Sequence, residues 1–173
     1  MLNKELKNTF LLDIIQKETQ WGEYTLINSK NIEELFNYTL SHLNLNKHIK
    51  QAECSLFLTN DSDIQTYNKK YRNKDKATNT LSFPLENINL AKPESIKTLD
   101  GYCNLGDIIC SIDTLKFEAK EQKKNFYNHF YHLLLHSFLH LLGHSHELEK
   151  DRIHMESTEI SILAKLGIKT PYE

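Results

Sequence analysis

The sequence predicts an α+β fold, a small mixed β-sheet of about four strands packed with about five helices. Three observations carry that expectation. Segments with strand periodicity and segments with helix periodicity mix along the chain without the strict alternation of a doubly wound protein. Glycine (5) and proline (3) are too scarce for a many-turned all-β chain. The 173 residues suit one domain, residues 1–173, with enough chain to bury a core without disulfides.

The elements follow in order. Thr9 to Ile15 reads as a first strand. Asn31-Ile32-Glu33-Glu34 opens a helix, capped by Asn31 or Ser29, with an apolar stripe at Leu35, Phe36, Leu40 and Leu43. Ala52 to Thr59 alternates Cys54, Leu56 and Leu58 onto one face, as a strand does. Asp61-Ser62-Asp63 caps a short helix with Ile64, Tyr67 and Tyr71 along one side. Thr78 to Leu85 is a strand that Pro84 stops. Glu86 to Asn104, with Pro93 and Gly101, is a long hairpin connection to a strand at Leu105–Ile112. A polar helix covers Thr114–Lys124. A strongly apolar helix covers Asn125–Leu142 and ends at Gly143, and a closing helix covers Ile153–Leu166.

Composition narrows the function classes. The formal net charge is −2, so the chain as a whole is not a generic polyanion binder. The three cysteines form no even framework and no C-x-x-C, which points to a reducing compartment. Met1-Leu2-Asn3-Lys4-Glu5 lacks a signal-peptide plan, and no stretch approaches the ~20 apolar residues of a membrane span. The expected location is the cytoplasm, with no membrane partner. Arginine occurs only at Arg72 and Arg152, so either beside a site would matter, because its planar fork has no lysine equivalent.

Of the 9 histidines, those at 129, 132, 136, 140, 144, 146 and 154 crowd into one segment. Residues four apart on a helix share a face, so His136 and His140 can point at one ion. Gly143 can adopt the left-handed conformation that ends the helix, letting the chain return His146 as a third ligand. Three imidazoles with an open fourth position suit a catalytic zinc ion. His129, His132 and His144 read as structural histidines, although His132 with His136 makes a second H-x-x-x-H pair.

The spacing H-x-x-x-H-x-x-G-x-x-H also occurs in metzincin proteases, and Met155 follows it as their Met-turn would. Those proteases carry a glutamate base directly after the first histidine. Ser137 stands there, and a serine hydroxyl cannot take that proton at neutral pH. The ligands for a protease are present and its base is missing.

The second informative stretch runs from Tyr67 to Pro84. Lys69, Lys70, Arg72, Lys74 and Lys76 face a single anion, Asp75. Cations beside tyrosines suit single-stranded nucleic acid, with phosphates on the charges and bases on the rings. A solvated helix end with core tyrosines is the plainer alternative. Arg72 has the fork to hold a phosphate near a metal.

Together these segments resemble the YbeY family of bacterial metal-dependent endoribonucleases. The hallmark of that family is H-G-x-L-H-L-x-G-Y-D-H, preceded by a segment like L-N-x-x-Y-R-x-x-D-x-P-T-D-V-L-S-F-P and then G-D-I. This chain carries His136, Leu139, His140, Leu141, Gly143 and His146. It carries Asn68, Tyr71, Arg72, Asp75, Thr78, Leu81, Ser82, Phe83 and Pro84, then Gly106-Asp107-Ile108. It departs at Tyr67, Ala77, Asn79-Thr80, Ser137 and His144-Ser145, none of which is a ligand or the arginine. The resemblance implies one Zn2+ per chain held by His136, His140 and His146. It implies maturation of ribosomal RNA, notably the 3′ end of the small-subunit RNA, and ribosome quality control, with the ribosome or its assembly proteins as partners.

The expected reaction is metal-assisted cleavage of RNA phosphodiesters. Zinc can lower the pKa of a bound water to about 7. Arg72 is the catalytic residue expected to hold the phosphate and offset its charge. Lys70, Tyr71 and Ser82 are candidate substrate contacts. Glu147, Glu149 and Glu156 lie near the motif in sequence without a definite place. Two rivals remain at this level: a zinc hydrolase of another substrate class, and a non-catalytic assembly factor whose zinc is closed by Cys103 or Cys110.

Overall fold

A computed structural model describes residues 9–172, so the reading of Met1–Glu5 lies outside the described residues. The expected α+β architecture is found. The strands are β1 (Thr9–Gln16), β2 (Gln51–Thr59), β3 (Thr80–Pro84) and β4 (Tyr102–Ser111). The helices are α1 (Ser29–His42), α2 (Asp61–Arg72), α3 (Ile112–Glu121), α4 (Phe126–Leu141) and α5 (Glu149–Lys165). The sheet order is β1-β2-β4-β3. The first three strands run parallel, and β3 pairs antiparallel with β4 at the edge. The long link from β3 to β4 is the expected hairpin connection, with one 3-10 turn at Pro93–Ser95.

Several boundaries move, each for a local reason. β4 begins at Tyr102, before Leu105, because Tyr102 and Cys103 align with Gln51 and Ala52 of β2. β3 is shorter than Thr78–Leu85, and its cross-strand partners run only from Thr80 to Pro84. α3 starts at Ile112, directly after β4, rather than at Thr114. α5 starts at Glu149 rather than Ile153, since the Leu148 carbonyl accepts from the amides of Asp151 and Arg152. The caps also lie one step earlier than expected. Asn28 caps α1, its side chain accepting from the Asn31 amide. Asn60 caps α2 by accepting from the Asp63 amide. Asp61 instead ties α2 to α3, its Oδ1 accepting from Ser111 Oγ at 2.5 Å and Thr114 Oγ1 at 2.6 Å.

Strand alternation sorts the side chains. Phe10, Leu12 and Ile14 align with Ala52, Cys54 and Leu56 and enter the main core under α1 and α4. Helix α4 supplies Phe130, Leu134, Leu135, Phe138 and Leu139, all fully buried. Phe138 stacks on Phe36 of α1 with centroids 3.8 Å apart, and Phe138→Ala would cost about 3–5 kcal/mol. Ile64 of α2, Leu81 and Ile109 form a smaller cluster on the other side of the sheet.

Two glycines are needed where backbones meet. Gly106 has φ +117°, and a Cβ there would lie 2.1 Å from the Phe83 carbonyl oxygen. Gly143 has φ +90°, and a Cβ there would lie 2.1 Å from the Ile88 carbonyl oxygen. The first lets β3 pack beside β4. The second lets the chain turn sharply out of α4 beneath the β3–β4 connection.

Candidate metal centre

His136 and His140 project from the last two turns of α4, and His146 follows the Gly143 turn. One ring nitrogen from each lies within 4.8 Å of the others. Among the described residues this is the group of His, Cys, Asp and Glu side chains able to share one ion. Cys103 and Cys110 are buried in β4 and do not join it.

The other ring nitrogens decide what this cluster can do. His140 Nδ1 lies 3.0 Å from the carbonyl oxygen of His144. A carbonyl only accepts, so that nitrogen carries the proton. His136 Nδ1 lies 2.7 Å from Oε1 of Glu159. Burial works to raise the Glu159 carboxyl, but His132, His136 and the Tyr172 hydroxyl outweigh it and hold it well below the usual carboxylate range. Glu159 is therefore ionised, and His136 Nδ1 donates to it. Burial, followed by the charge of His136, pushes His140 down to about 4, so its ring is neutral at pH 7.

The Nε2 atoms of His136 and His140 face each other at 3.1 Å, close enough to share one proton or, when both rings are neutral, to offer two lone pairs to one cation. Two lone pairs repel at that distance, and a cation between them and His146 turns the repulsion into coordination. The donor set thus fits a divalent metal that takes imidazole nitrogen. Holding the far ring nitrogens on a carboxylate and a carbonyl is the usual way a protein orients histidine ligands.

The cluster opens into a cleft of about 530 Å³. Arg72, Thr80, Ser82 and Glu147 line it together with His136, His140 and His146. Arg72 reaches it from the last turn of α2. Its Nη2 donates to the Ser82 carbonyl at 3.4 Å, past the β3 edge. The loop after α2 is drawn toward β3 by the buried Asn68, whose Nδ2 donates to the Lys76 carbonyl at 2.8 Å. Ser137 is buried, its Oγ donating to Thr80 Oγ1 at 2.8 Å, so it ties α4 to β3.

The other sequence candidates scatter. Tyr71 lies on the far side of β3, stacked near-parallel on Tyr67 and edge-on to Phe83. It lines a separate apolar groove with Phe57 and Ile109. Lys70 places its ammonium 5.0 Å from the Tyr71 ring centre and borders a different hollow beside Lys69 and Asp75. Neither borders the histidine cleft. Glu149 and Glu156 are taken by Arg152, at 2.5 and 2.7 Å. Sequence reasoning missed Glu159. It lies 23 residues beyond His136, on another helix, and no local spacing signals it.

Comparison with known proteins agrees with this geometry. Residues 15–167 match the family model described as Endoribonuclease YbeY. An Endoribonuclease YbeY from Bartonella quintana (strain Toulouse) is 35% identical over 161 residues, covering 93% of this chain and 96% of the relative. A Thermotoga maritima protein with a solution structure shares the fold at a TM-score of 0.52 and 17% identity, over 90% of this chain and 91% of that one.

Proposed function

The chain belongs to the YbeY endoribonuclease family, and on that premise we propose that it is a zinc-dependent endoribonuclease of single-stranded RNA. Its substrate is ribosomal RNA, including the 3′ end of the small-subunit RNA. It works as one domain in the cytoplasm, with the ribosome or ribosome-assembly proteins as partners, and serves ribosome quality control. The observation that carries the reading is the convergence of the His136 and His140 Nε2 atoms with His146 in a cleft that Arg72 also lines.

His136, His140 and His146 would hold the metal as neutral imidazoles. When bound, zinc supplies a Lewis acid for a phosphoryl oxygen and lowers the pKa of a water at the open position. Arg72 binds and orients the phosphate. One of its N–H groups is occupied by Ser82, which aims the fork and leaves the others for phosphate oxygens. Its fixed charge offsets the negative charge that builds up as the phosphodiester is cleaved. Ser82 contributes its carbonyl as the support for that fork. Lys70 and Tyr71 contact RNA only where the strand extends beyond the cleft.

No carboxylate follows His136, so the peptidase chemistry that shares this histidine spacing lacks its proton acceptor. The deciding experiment compares cleavage of single-stranded RNA by wild-type protein and by His140→Ala, purified in parallel, with and without a chelator. Cleavage only by metal-loaded wild type is expected. Equal cleavage by both proteins would trace the activity to a contaminant and sink the reading.

A further inference from the structure

Glu159 is fully buried, and among the described residues its ionic partners are the imidazoles of His132 and His136. A buried carboxylate is stable only where hydrogen bonds fix both oxygens. Oε1 is taken by His136 Nδ1 at 2.7 Å. Oε2 is met by the hydroxyl of Tyr172, which donates to it. His132 Nε2 lies 3.4 Å from that hydroxyl and 3.6 Å from Oε2. The hydroxyl gives its only proton to Glu159, so at this contact it can only accept, and His132 is the donor.

Tyr172 sits in the segment after α5, which is fastened from elsewhere. Lys124, in the loop between α3 and α4, donates its Nζ to the Pro171 carbonyl at 3.0 Å. The Ile168 amide returns to the Leu163 carbonyl at the end of α5. The Tyr172 ring packs edge-on against His132 with centroids 5.6 Å apart. The chain of donors therefore runs from His132 to Tyr172 to Glu159, with His136 donating from the other side.

We propose that the Pro171–Tyr172 segment is a latch for the metal centre: Tyr172 and His132 fix the Glu159 carboxylate, and Glu159 in turn keeps His136 presenting Nε2 to the ion. Tyr172, His132 and Glu159 are positioning residues that act through His136. The inference rests on the reading of His136, His140 and His146 as the metal ligands.

The physical argument is one of tautomer and charge. Without a fixed acceptor at Nδ1, the His136 ring can carry its proton on either nitrogen, and only one form offers Nε2 to a metal. A carboxylate on the far nitrogen also makes the ring a stronger donor toward a cation. Loss of such an outer partner lowers metal affinity roughly 10–100-fold in histidine-ligated sites.

The test measures zinc affinity of the full chain by competition with a chromophoric chelator, for wild type, Tyr172→Phe, Glu159→Gln and His140→Ala. Ring-nitrogen NMR shifts of His136 are recorded in the metal-free proteins alongside. The expected result is roughly tenfold weaker zinc binding for Tyr172→Phe and up to roughly 100-fold for Glu159→Gln. The His136 proton should shift from Nδ1 toward a mixture of tautomers in Tyr172→Phe, a change that lost packing would not produce. Tyr172 is partly exposed and its ring is retained in the variant, so the measurement holds even if Glu159→Gln folds poorly. Wild-type affinity in Tyr172→Phe, with zinc lost in His140→Ala, would overturn the latch and leave the ligand reading intact. Wild-type affinity in His140→Ala would overturn both.

Discussion

Of the histidine–carboxylate pairs on helix α4, those of His129 and His136 lie about two turns apart, and only the second presents a ring nitrogen to the histidine cluster. His129 Nε2 lies 2.9 Å from Oε2 of Glu118, while His136 uses Nδ1 to reach Glu159 at 2.7 Å. In the first pair the outer nitrogen is spent on the carboxylate, and Nδ1 is left buried without a partner. In the second the inner nitrogen is spent, and Nε2 is delivered to the cleft beside that of His140. The helix, residue types and bond lengths are nearly the same. What differs is which ring nitrogen the carboxylate takes, and that separates a histidine that braces the fold from one that can bind an ion.

The comparison can be broken by experiment. The largest effect is expected for His140→Ala, which removes one of the two facing Nε2 atoms. Metal analysis of the purified variant should show most of the bound metal gone, and full retention would refute the ligand assignment. Arg72→Ala should keep the metal and the fold but slow RNA cleavage by roughly 10²–10³-fold, the scale of losing one preorganised charge partner. Normal cleavage by that variant would remove Arg72 from the phosphate role.

His129→Gln probes the other pair. Metal content should stay at the wild-type level, while thermal or denaturant unfolding should show a loss of roughly 1–3 kcal/mol as Glu118 loses a buried partner. A fall in metal content would erase the distinction between the pairs.

The smallest effect is one of pH. Burial works to raise the Glu118 carboxyl, but hydrogen bonds from His129 and Asn79 prevail and hold it below its ordinary value. The stability this supplies is fully present above the ordinary carboxyl pKa of about 4.3 and is lost as pH falls through the lowered folded value. Wild-type protein should therefore lose stability more steeply below about pH 4 than His129→Gln does. Parallel curves would show that the pair contributes no such linkage.

The legible features were local ones. His136 and His140 are four apart on one helix, and Gly143 is required by its positive φ, so helical geometry alone converges three imidazoles. The burial of Cys54, Leu56 and Leu58 follows from strand alternation in the same way. Sequence neighbours part where adjacent positions face different ways. Lys70, Tyr71 and Arg72 are consecutive, but successive helical residues point about 100° apart. Only Arg72 passes the β3 edge to the cleft.

By itself, then, the sequence determined the mixed α+β plan, the converging histidines and the lone arginine of the basic segment. Periodicity, capping and i,i+4 spacing are properties of a few consecutive residues. Tertiary structure alone decided that Glu159 and Tyr172 stand behind His136, that Glu118 claims the outer nitrogen of His129, and that Arg72 rather than Tyr71 borders the histidine cleft. Those contacts join residues from separate elements. They depend on how α5 lies on α4 and where the β3 edge ends, which the packing of the whole core sets and no single segment encodes.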